Sequence, residues 1–170
     1  MPDTSDKKAR EAAICFSCRH KAPSFERLDY TELRLTNENK VHLRFKKGET
    51  ISKQGAFVTH ILYLKKGLVK VYKEVDYKNN LILDVINSGR LLGLSAMFGR
   101  KTFPYSIAAL EDSMVCAIDK QVVEQIMHNN GKFAAELLKT VNQDLERSRE
   151  KLVSLTMKQL NGRLADALLY

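Results

Sequence analysis

The chain has 170 residues, of which 44% are hydrophobic and 28% are charged, a composition typical of one soluble globular domain or one domain plus a fragment. Its formal net charge of +8 favours polyanionic partners, but the charge is spread in short pairs and does not by itself indicate nucleic-acid binding. No apolar run approaches the ~20 residues of a membrane span, and the N-terminus lacks the apolar core of a secretory signal. We therefore expect a cytoplasmic protein with no membrane partner.

Residues 1–24 form a polar tail that carries two of the three cysteines, Cys15 and Cys18, in a CxxC spacing. The segment has no sustained period, so it is interpreted as a tail or as an arm packed on the following domain. Three cysteines cannot form a closed set of disulfides, and a reducing compartment disfavours disulfides anyway. The thiols are therefore free, ligands of a metal or cluster, or redox groups.

Residues 25–130 change from one short helix around residues 28–35 to a period of two that begins at Lys40. The first strand, KVHLRF, is predicted to point Val41, Leu43 and Phe45 into the core. Roughly six to eight short strands, about 8–12 residues apart and separated by glycine-marked turns, predict a β-sandwich or roll. The predicted fold class is mostly β with α: a double-stranded β-helix, or jelly roll, followed by a long helix.

The period becomes helical after Ile118. Asp119 is the predicted N-cap of a helix that Gly131 ends. Residues 131–156 then form a long helix with a narrow a/d seam and charged flanks. The predicted seam residues at the dimer interface are Leu138, Val141, Leu145, Ser148, Leu152 and Leu155. Such a seam is typical of a helix that pairs with its copy in a parallel dimer, and the alternative is a helix packed on the roll.

Two stretches carry a family resemblance. The segments FKKGETISKQG and LYLKKGLVKVY resemble the signature of the cyclic-nucleotide-binding β-roll, and QLNGRLADALL in residues 157–170 resembles the first helix of the winged helix-turn-helix domain of Crp/Fnr-type bacterial transcription regulators. The resemblance implies a sensing roll, a homodimer and DNA binding through the C-terminal domain. It also implies contact with RNA polymerase in the full-length protein, and no enzymatic activity. Because the recognition helix is missing, we expect this chain to bind specific DNA poorly.

The resemblance also suggests where a small-molecule effector binds. Nucleotide-binding members carry Gly-Glu-Leu and then Arg-Ser/Thr-Ala, and the matching stretches here give a predicted effector pocket of Gly93, Leu94, Ser95, Phe103, Pro104 and Tyr105. Leu94 cannot accept a hydrogen bond from the ribose, and the cation for the phosphate is missing, although Arg100 and Lys101 are near in sequence. We therefore do not expect cAMP to be the effector. An alternative is an apolar pocket for a small acid or lipid-like ligand.

The resemblance implies a cluster as well. Oxygen-sensing members hold a [4Fe–4S] cluster on a C-x2-C-x5-C group near the N-terminus and a fourth cysteine at the end of the roll. Cys15, Cys18 and Cys116 match three of these positions, and Ser24 occupies the third position of the near group. His20 and Ser24 are the nearest replacement ligands, and the cysteines with His20 match a Cys3His zinc site. Reversible thiol redox chemistry and cysteines without function remain alternatives.

The expected function is therefore that of the effector-sensing and dimerisation region of a Crp/Fnr-type DNA-binding transcription regulator that does not respond to cAMP. The alternative is a stand-alone sensor, based on a metal, an iron–sulfur cluster or thiol redox chemistry, or a small-ligand module that acts through a protein partner. The other histidines, His42, His60 and His128, are scattered along the chain, and we expect them to be structural or exposed.

Overall fold

The computed structural model describes residues 15, 18, 21–76, 79–99, 101–157 and 162, and the side chains of Asp76 and Asn79 are outside the description. His20, a predicted ligand, lies outside the described residues. So does the predicted first helix of the winged domain, apart from Met157 and Gly162. Most of the N-terminal tail falls outside the description too, but both of its cysteines are within it.

The described residues form two antiparallel sheets of four strands each. The strands are β1 (Lys40–Phe45), β2 (Thr50–Ser52), β3 (His60–Lys66), β4 (Leu68–Asp76), β5 (Asn79–Asn87), β6 (Arg90–Leu92), β7 (Ser106–Ala109) and β8 (Ser113–Asp119). One sheet has the order β1-β8-β3-β6 and the other the order β2-β7-β4-β5. Because all neighbouring strands except β4 and β5 are non-consecutive in sequence, the arrangement is a jelly roll, which confirms the predicted fold class.

Apolar side chains from both sheets form the core of the roll. Leu64 and Val115 of one sheet, and Val69 and Ile107 of the other, are completely buried. The turn between β3 and β4 requires glycine at position 67, where φ is +105° and a Cβ would collide with Ser113. The backbone of this turn therefore lies directly against the start of β8.

Four α-helices and one 3-10 helix accompany the sheets in the described part of the chain. They are the 3-10 helix Pro23–Arg27, α1 (Tyr30–Glu38), α2 (Leu94–Phe98), α3 (Lys120–Asn129) and α4 (Gly131–Met157). The Asp119 side chain accepts a hydrogen bond from the backbone of Gln121, so the predicted N-cap is confirmed. The predicted end of this helix was wrong by one residue. Asn130 is its C-cap, and Gly131 is already the first residue of α4.

The predicted orientation of β1 was wrong. Val41 is 54% exposed and Leu43 is 39% exposed, whereas Lys40 and His42 on the other face line a pocket. The reason is that β1 lies at the edge of its sheet, and Cys15, Cys18 and Lys21 lie beside its Lys40–His42 face. Residues from elsewhere in the chain can cover the polar face of an edge strand. The alternation of residue types along the strand does not show that this happens.

The chain divides into two compact units, Met1–Ala134 and Ala135–Tyr170. The first contains the roll and α1 to α3, and the second contains most of α4. None of the helices in the described ranges combines the length and the apolar character that crossing a lipid bilayer demands.

Candidate functional site

The three cysteines meet at one pocket of the roll, called here the cysteine pocket. Cys116 lies on β8, while Cys15 and Cys18 come from the N-terminal segment. The pocket has a volume of about 440 Å³, part of which is open to solvent. Its apolar walls include Phe25 and Leu33. The sequence placed these cysteines 98 residues apart, from position 18 to position 116, and the fold brings them together.

The register of three neighbouring strands builds the floor of this pocket. Cys116 on β8 pairs with His42 on β1 and with Tyr63 on β3. Residues directly opposite each other in antiparallel strands point to the same face, so these three side chains form one row. Lys40 pairs with Ile118 in the next row on that face, and both line the pocket as well.

The closest polar contact in the pocket joins Lys40 to Cys15. The Lys40 Nζ atom donates a hydrogen bond to the Cys15 Sγ atom across 2.9 Å. The backbone N–H of Cys15 donates to Asn37 Oδ1 at 3.1 Å, which ties the segment to the last turn of α1. The backbone N–H of Cys18 donates to the carbonyl of Cys15 at 3.5 Å. Cys15 and Cys18 are therefore in direct backbone contact, and Cys15 is anchored to α1.

The charged side chains in the described lining of the cysteine pocket are all lysines. Lys21, Lys40 and Lys65 line it, and no aspartate or glutamate belongs to its described lining. Positive charge of this kind stabilises a thiolate or a bound anion.

Burial sets the protonation of the groups on the floor. It raises the pKa of the Cys116 thiol to about 11, although the charges of Lys40 and Lys65 act in the opposite direction. Burial, together with the nearby Cys18 and Cys116, also raises the pKa of Tyr63 to about 12. Both groups are therefore protonated and neutral at pH 7.

Burial also lowers the pKa of His42, and Lys40 and Lys65 lower it further. Its Nε2 atom is buried without a hydrogen-bond partner among the described residues. His42 is therefore a neutral member of the pocket floor at pH 7.

The described donor set does not fit a four-ligand cluster. A cluster or structural zinc site needs four ligands, and the described residues contain no group of three ligating side chains able to hold a metal ion. Ser24, the predicted replacement, is buried and without a hydrogen-bond partner among the described residues, but it is not part of the pocket lining. In addition, Lys40 already contacts the Cys15 sulfur. The metal site at Cys15, Cys18 and Cys116 therefore stays a sequence-based prediction.

The residues of the predicted effector pocket lie elsewhere, around α2. Gly93 precedes α2 with φ +87°, and a Cβ at this position would lie 2.8 Å from the Phe103 ring. Leu94 and Phe103 are buried, Pro104 and Tyr105 are half-buried, and Ser95 is exposed. None of these residues lines the cysteine pocket. The Phe103 ring thus packs on the Gly93 backbone, which is the kind of contact found in a hydrophobic core.

Ser106, the residue after Tyr105, contacts the carboxylate of Glu74. The Ser106 hydroxyl is fully buried; it donates to Glu74 Oε1 at 2.6 Å and accepts from the backbone of Gln54 at 2.9 Å. Lys101, a candidate replacement cation for a phosphate, is exposed, and Arg100 lies outside the described residues. A carboxylate beside this segment disfavours a bound phosphate by like-charge repulsion.

Most of the predicted seam of α4 is exposed to solvent. Leu138 is 70% exposed and Leu152 is 61% exposed. Leu145, Ser148 and Leu155 are also exposed, while Val141 is half-buried. An uncovered row of leucines with heptad spacing is characteristic of a helix that lacks its partner.

The sequence interpretation missed the basic and aromatic members of the cysteine pocket. Lys40 belongs to no motif, Tyr63 and Lys65 were noted only as part of the β-roll signature, and His42 was expected to be structural or exposed. The sequence shows that Lys40 and His42 lie on the same face of β1. Only the register of β1 with β8 shows that this face also carries Cys116.

Comparison with known proteins places the roll in a family. The model of the cyclic nucleotide-binding domain family matches residues 42–130. The fumarate and nitrate reduction regulatory protein of Vibrio cholerae is 26% identical over 124 residues, which cover 73% of this chain and 49% of the relative. The transcriptional activator protein anr of Pseudomonas aeruginosa is 24% identical over 120 residues, with coverage of 71% and 49%. The chain thus spans about half the length of these curated relatives.

Solved structures agree on the fold. The sensor domain of the transcriptional regulator DNR from Pseudomonas aeruginosa matches with a TM-score of 0.68 and 19% identity, covering 91% of this chain and 98% of that chain. The catabolite activator protein of Thermus thermophilus matches with a TM-score of 0.65 and 18% identity, covering 79% and 63%. The chain therefore belongs to the cyclic nucleotide-binding domain family, and the relatives it matches are Crp/Fnr-type bacterial transcription regulators.

Proposed function

We propose that this chain is the effector-sensing and dimerisation region of a Crp/Fnr-type DNA-binding transcription regulator. The exposed seam of α4 carries the proposal. In the proposed regulator, the roll senses a chemical signal and α4 pairs with its copy. A winged helix-turn-helix domain binds DNA, and the full-length protein contacts RNA polymerase. The role is cytoplasmic and non-enzymatic.

The physical support for the dimer is the apolar area that the seam leaves uncovered. Leu138, Leu145, Leu152 and Leu155 all project exposed side chains from one face of α4. Burying one leucine side chain completely contributes about 1.5–3 kcal/mol. Pairing two copies of α4 along this face would bury eight such leucines, while the charged flanks stay in water.

The support for the sensing role lies in the roll. The stretches that resemble the nucleotide-binding motifs have Leu94 and Phe103 where those motifs have glutamate and arginine. In addition, Phe103 packs on Gly93, and Glu74 lies beside Ser106. The cysteine pocket, in contrast, is open in part to solvent and combines three thiols with three lysines. We therefore assign sensing to the cysteine pocket and not to a cyclic-nucleotide site around α2.

Sedimentation velocity tests the dimer with a matched pair of variants. Leu145→Lys places a charge in the seam, and Gln143→Lys places the same charge on the opposite, solvent-facing side of α4. We expect the wild type and Gln143→Lys to sediment as dimers and Leu145→Lys to sediment as a monomer. A monomeric wild type, or a dimer that Leu145→Lys leaves intact, would contradict the proposal.

A further inference from the structure

We propose that Cys15 and Cys18 form a redox-modification site for hydroperoxides, in which Lys40 stabilises the reacting thiolate and the product is a Cys15–Cys18 disulfide. The inference names the chemistry of the sensing site, and its regulatory meaning rests on the proposed function. The chemical reaction itself does not depend on that function.

Cys15 is the nucleophile that the geometry selects. Lys40 Nζ lies 2.9 Å from its sulfur and donates a hydrogen bond to it, which stabilises the negative charge that develops on the sulfur as it reacts. The Cys15 side chain is only half-buried and lines a pocket that is open in part to solvent. The hydrogen bond from the Cys15 backbone to Asn37 holds the sulfur at this position. A thiol that contacts a lysine and that a small molecule can reach has the environment of a reactive cysteine.

A hydroperoxide suits the charges of the pocket. The Cys15 thiolate attacks one peroxide oxygen, the O–O bond breaks, and the thiolate sulfur is oxidised to a sulfenic acid while the peroxide is reduced. With hydrogen peroxide, the second oxygen leaves as hydroxide and takes up the proton released from the Cys15 thiol, so that water forms; an organic hydroperoxide releases its alcohol in the same way. Lys40 and Lys65 stabilise the negative charge on the leaving oxygen. The described lining has no carboxylate to oppose that charge.

Cys18 is placed to resolve the sulfenic acid. Its backbone N–H donates to the Cys15 carbonyl at 3.5 Å, so the backbones of the two cysteines are in direct contact. The C-x-x-C spacing of the pair is that of disulfide-forming redox motifs. The Cys18 sulfur attacks the Cys15 sulfur, the S–O bond breaks, and the oxygen leaves as water with the proton of the Cys18 thiol.

Cys116 plays no part in the first oxidation. It is the buried member of the three cysteines, and burial raises its pKa to about 11. Its thiol is therefore protonated at neutral pH and lacks the nucleophilic form. The pocket thus separates one reactive thiol, one resolving thiol and one inert thiol.

The test uses the full chain, reduced and freed of metal by a chelator, with one equivalent of hydrogen peroxide at pH 7. Differential alkylation and peptide mass spectrometry then follow each cysteine. We expect the peptide that contains Cys15 and Cys18 to lose two hydrogens, while Cys116 stays reduced. Lys40→Met should slow this oxidation by about tenfold or more, and Lys40→Arg should restore part of the rate.

Lys66→Met is the matched control, since Lys66 is exposed and does not line the pocket; we expect it to oxidise at the wild-type rate. Circular dichroism confirms that each variant is folded. Oxidation that spreads equally over three cysteines, or a rate that Lys40→Met leaves unchanged, overturns the proposal. If the disulfide fails to form while the reduced chain sediments as a dimer, this inference fails and the proposed function stands.

Discussion

The Phe25 ring meets the Phe133 ring edge-on, with their centroids 5.6 Å apart and their planes at 71°. Phe25 belongs to the 3-10 helix and lines the cysteine pocket. Phe133 lies in the first turn of α4 and is completely buried. One aromatic contact therefore connects the wall of the pocket with the start of the proposed dimerisation helix.

Replacing Phe133 tests the importance of this contact for the roll. Phe133→Ala should lower the free energy of unfolding by about 3–5 kcal/mol, because it removes a buried ring and leaves a cavity. Phe133→Leu should cost less, since most of the volume is retained. Urea denaturation followed by circular dichroism measures both values. A loss below about 1 kcal/mol for Phe133→Ala would mean that the ring contributes little to the packing beside Phe25.

Asn130 makes a second connection between the same two regions. Its Oδ1 atom accepts the backbone N–H of Phe133 at 3.0 Å, which caps α4. Its Nδ2 atom donates to the Arg27 carbonyl at 3.1 Å and to Glu32 Oε2 at 2.8 Å. A single amide side chain thus joins the end of the 3-10 helix, the first turn of α1 and the beginning of α4.

Asn130→Asp separates the capping role from the bridging role. Aspartate caps helices as well as asparagine does, but here it would lose both donors and place a second carboxylate beside Glu32. We expect a loss of about 1–3 kcal/mol in unfolding free energy. The loss should shrink in the Glu32→Gln background, where the repulsion is absent. Equal losses in both backgrounds, in a double-mutant cycle by urea denaturation, would rule out the bridge to Glu32.

His42 should make stability depend on pH in the mildly acidic range. Burial and the charges of Lys40 and Lys65 lower its pKa in the folded protein below the 6.5 of the unfolded chain. Between these two values the unfolded state binds more protons, so the stabilisation is complete above pH 6.5 and is lost as the pH falls below it. His42→Asn should flatten this part of the profile. Identical slopes for the wild type and His42→Asn from pH 7.5 to 5 would refute the assignment.

Cyclic AMP should not bind to the roll. Leu94 offers no acceptor to the ribose, and the carboxylate of Glu74 lies beside Ser106 where a phosphate would need a cation. Isothermal titration calorimetry of the reduced chain with cAMP should show no binding at micromolar concentrations. A saturable heat signal with micromolar affinity would contradict this prediction and would indicate that the residues around α2 bind the effector.

The sequence was sufficient for the architecture because the hydrophobic period changes from two to helical near Ile118, and the α4 seam repeats regularly. It was not sufficient for the site. Cys116 could be associated with Cys15 and Cys18 only through a family resemblance. The contribution of Lys40 and His42 depends on the pairing of β1 with β8, which pattern alone leaves open. Asn130 looked like an ordinary residue between two helices, since its contacts with Arg27 and Glu32 span about a hundred residues.

The link between the cysteine pocket and α4 is tested most directly by the dimer dissociation constant of the full chain, measured by sedimentation equilibrium before and after treatment with one equivalent of hydrogen peroxide. A Cys15–Cys18 disulfide would consume the Cys15 thiol that Lys40 contacts, in the pocket that is lined by Phe25, the partner of Phe133. We therefore predict that the oxidised wild type dimerises at least about threefold more weakly, and that a Cys15→Ser/Cys18→Ser variant shows no change. Equal dissociation constants for the reduced and the fully disulfide-bonded wild type would contradict a sensor that acts through α4.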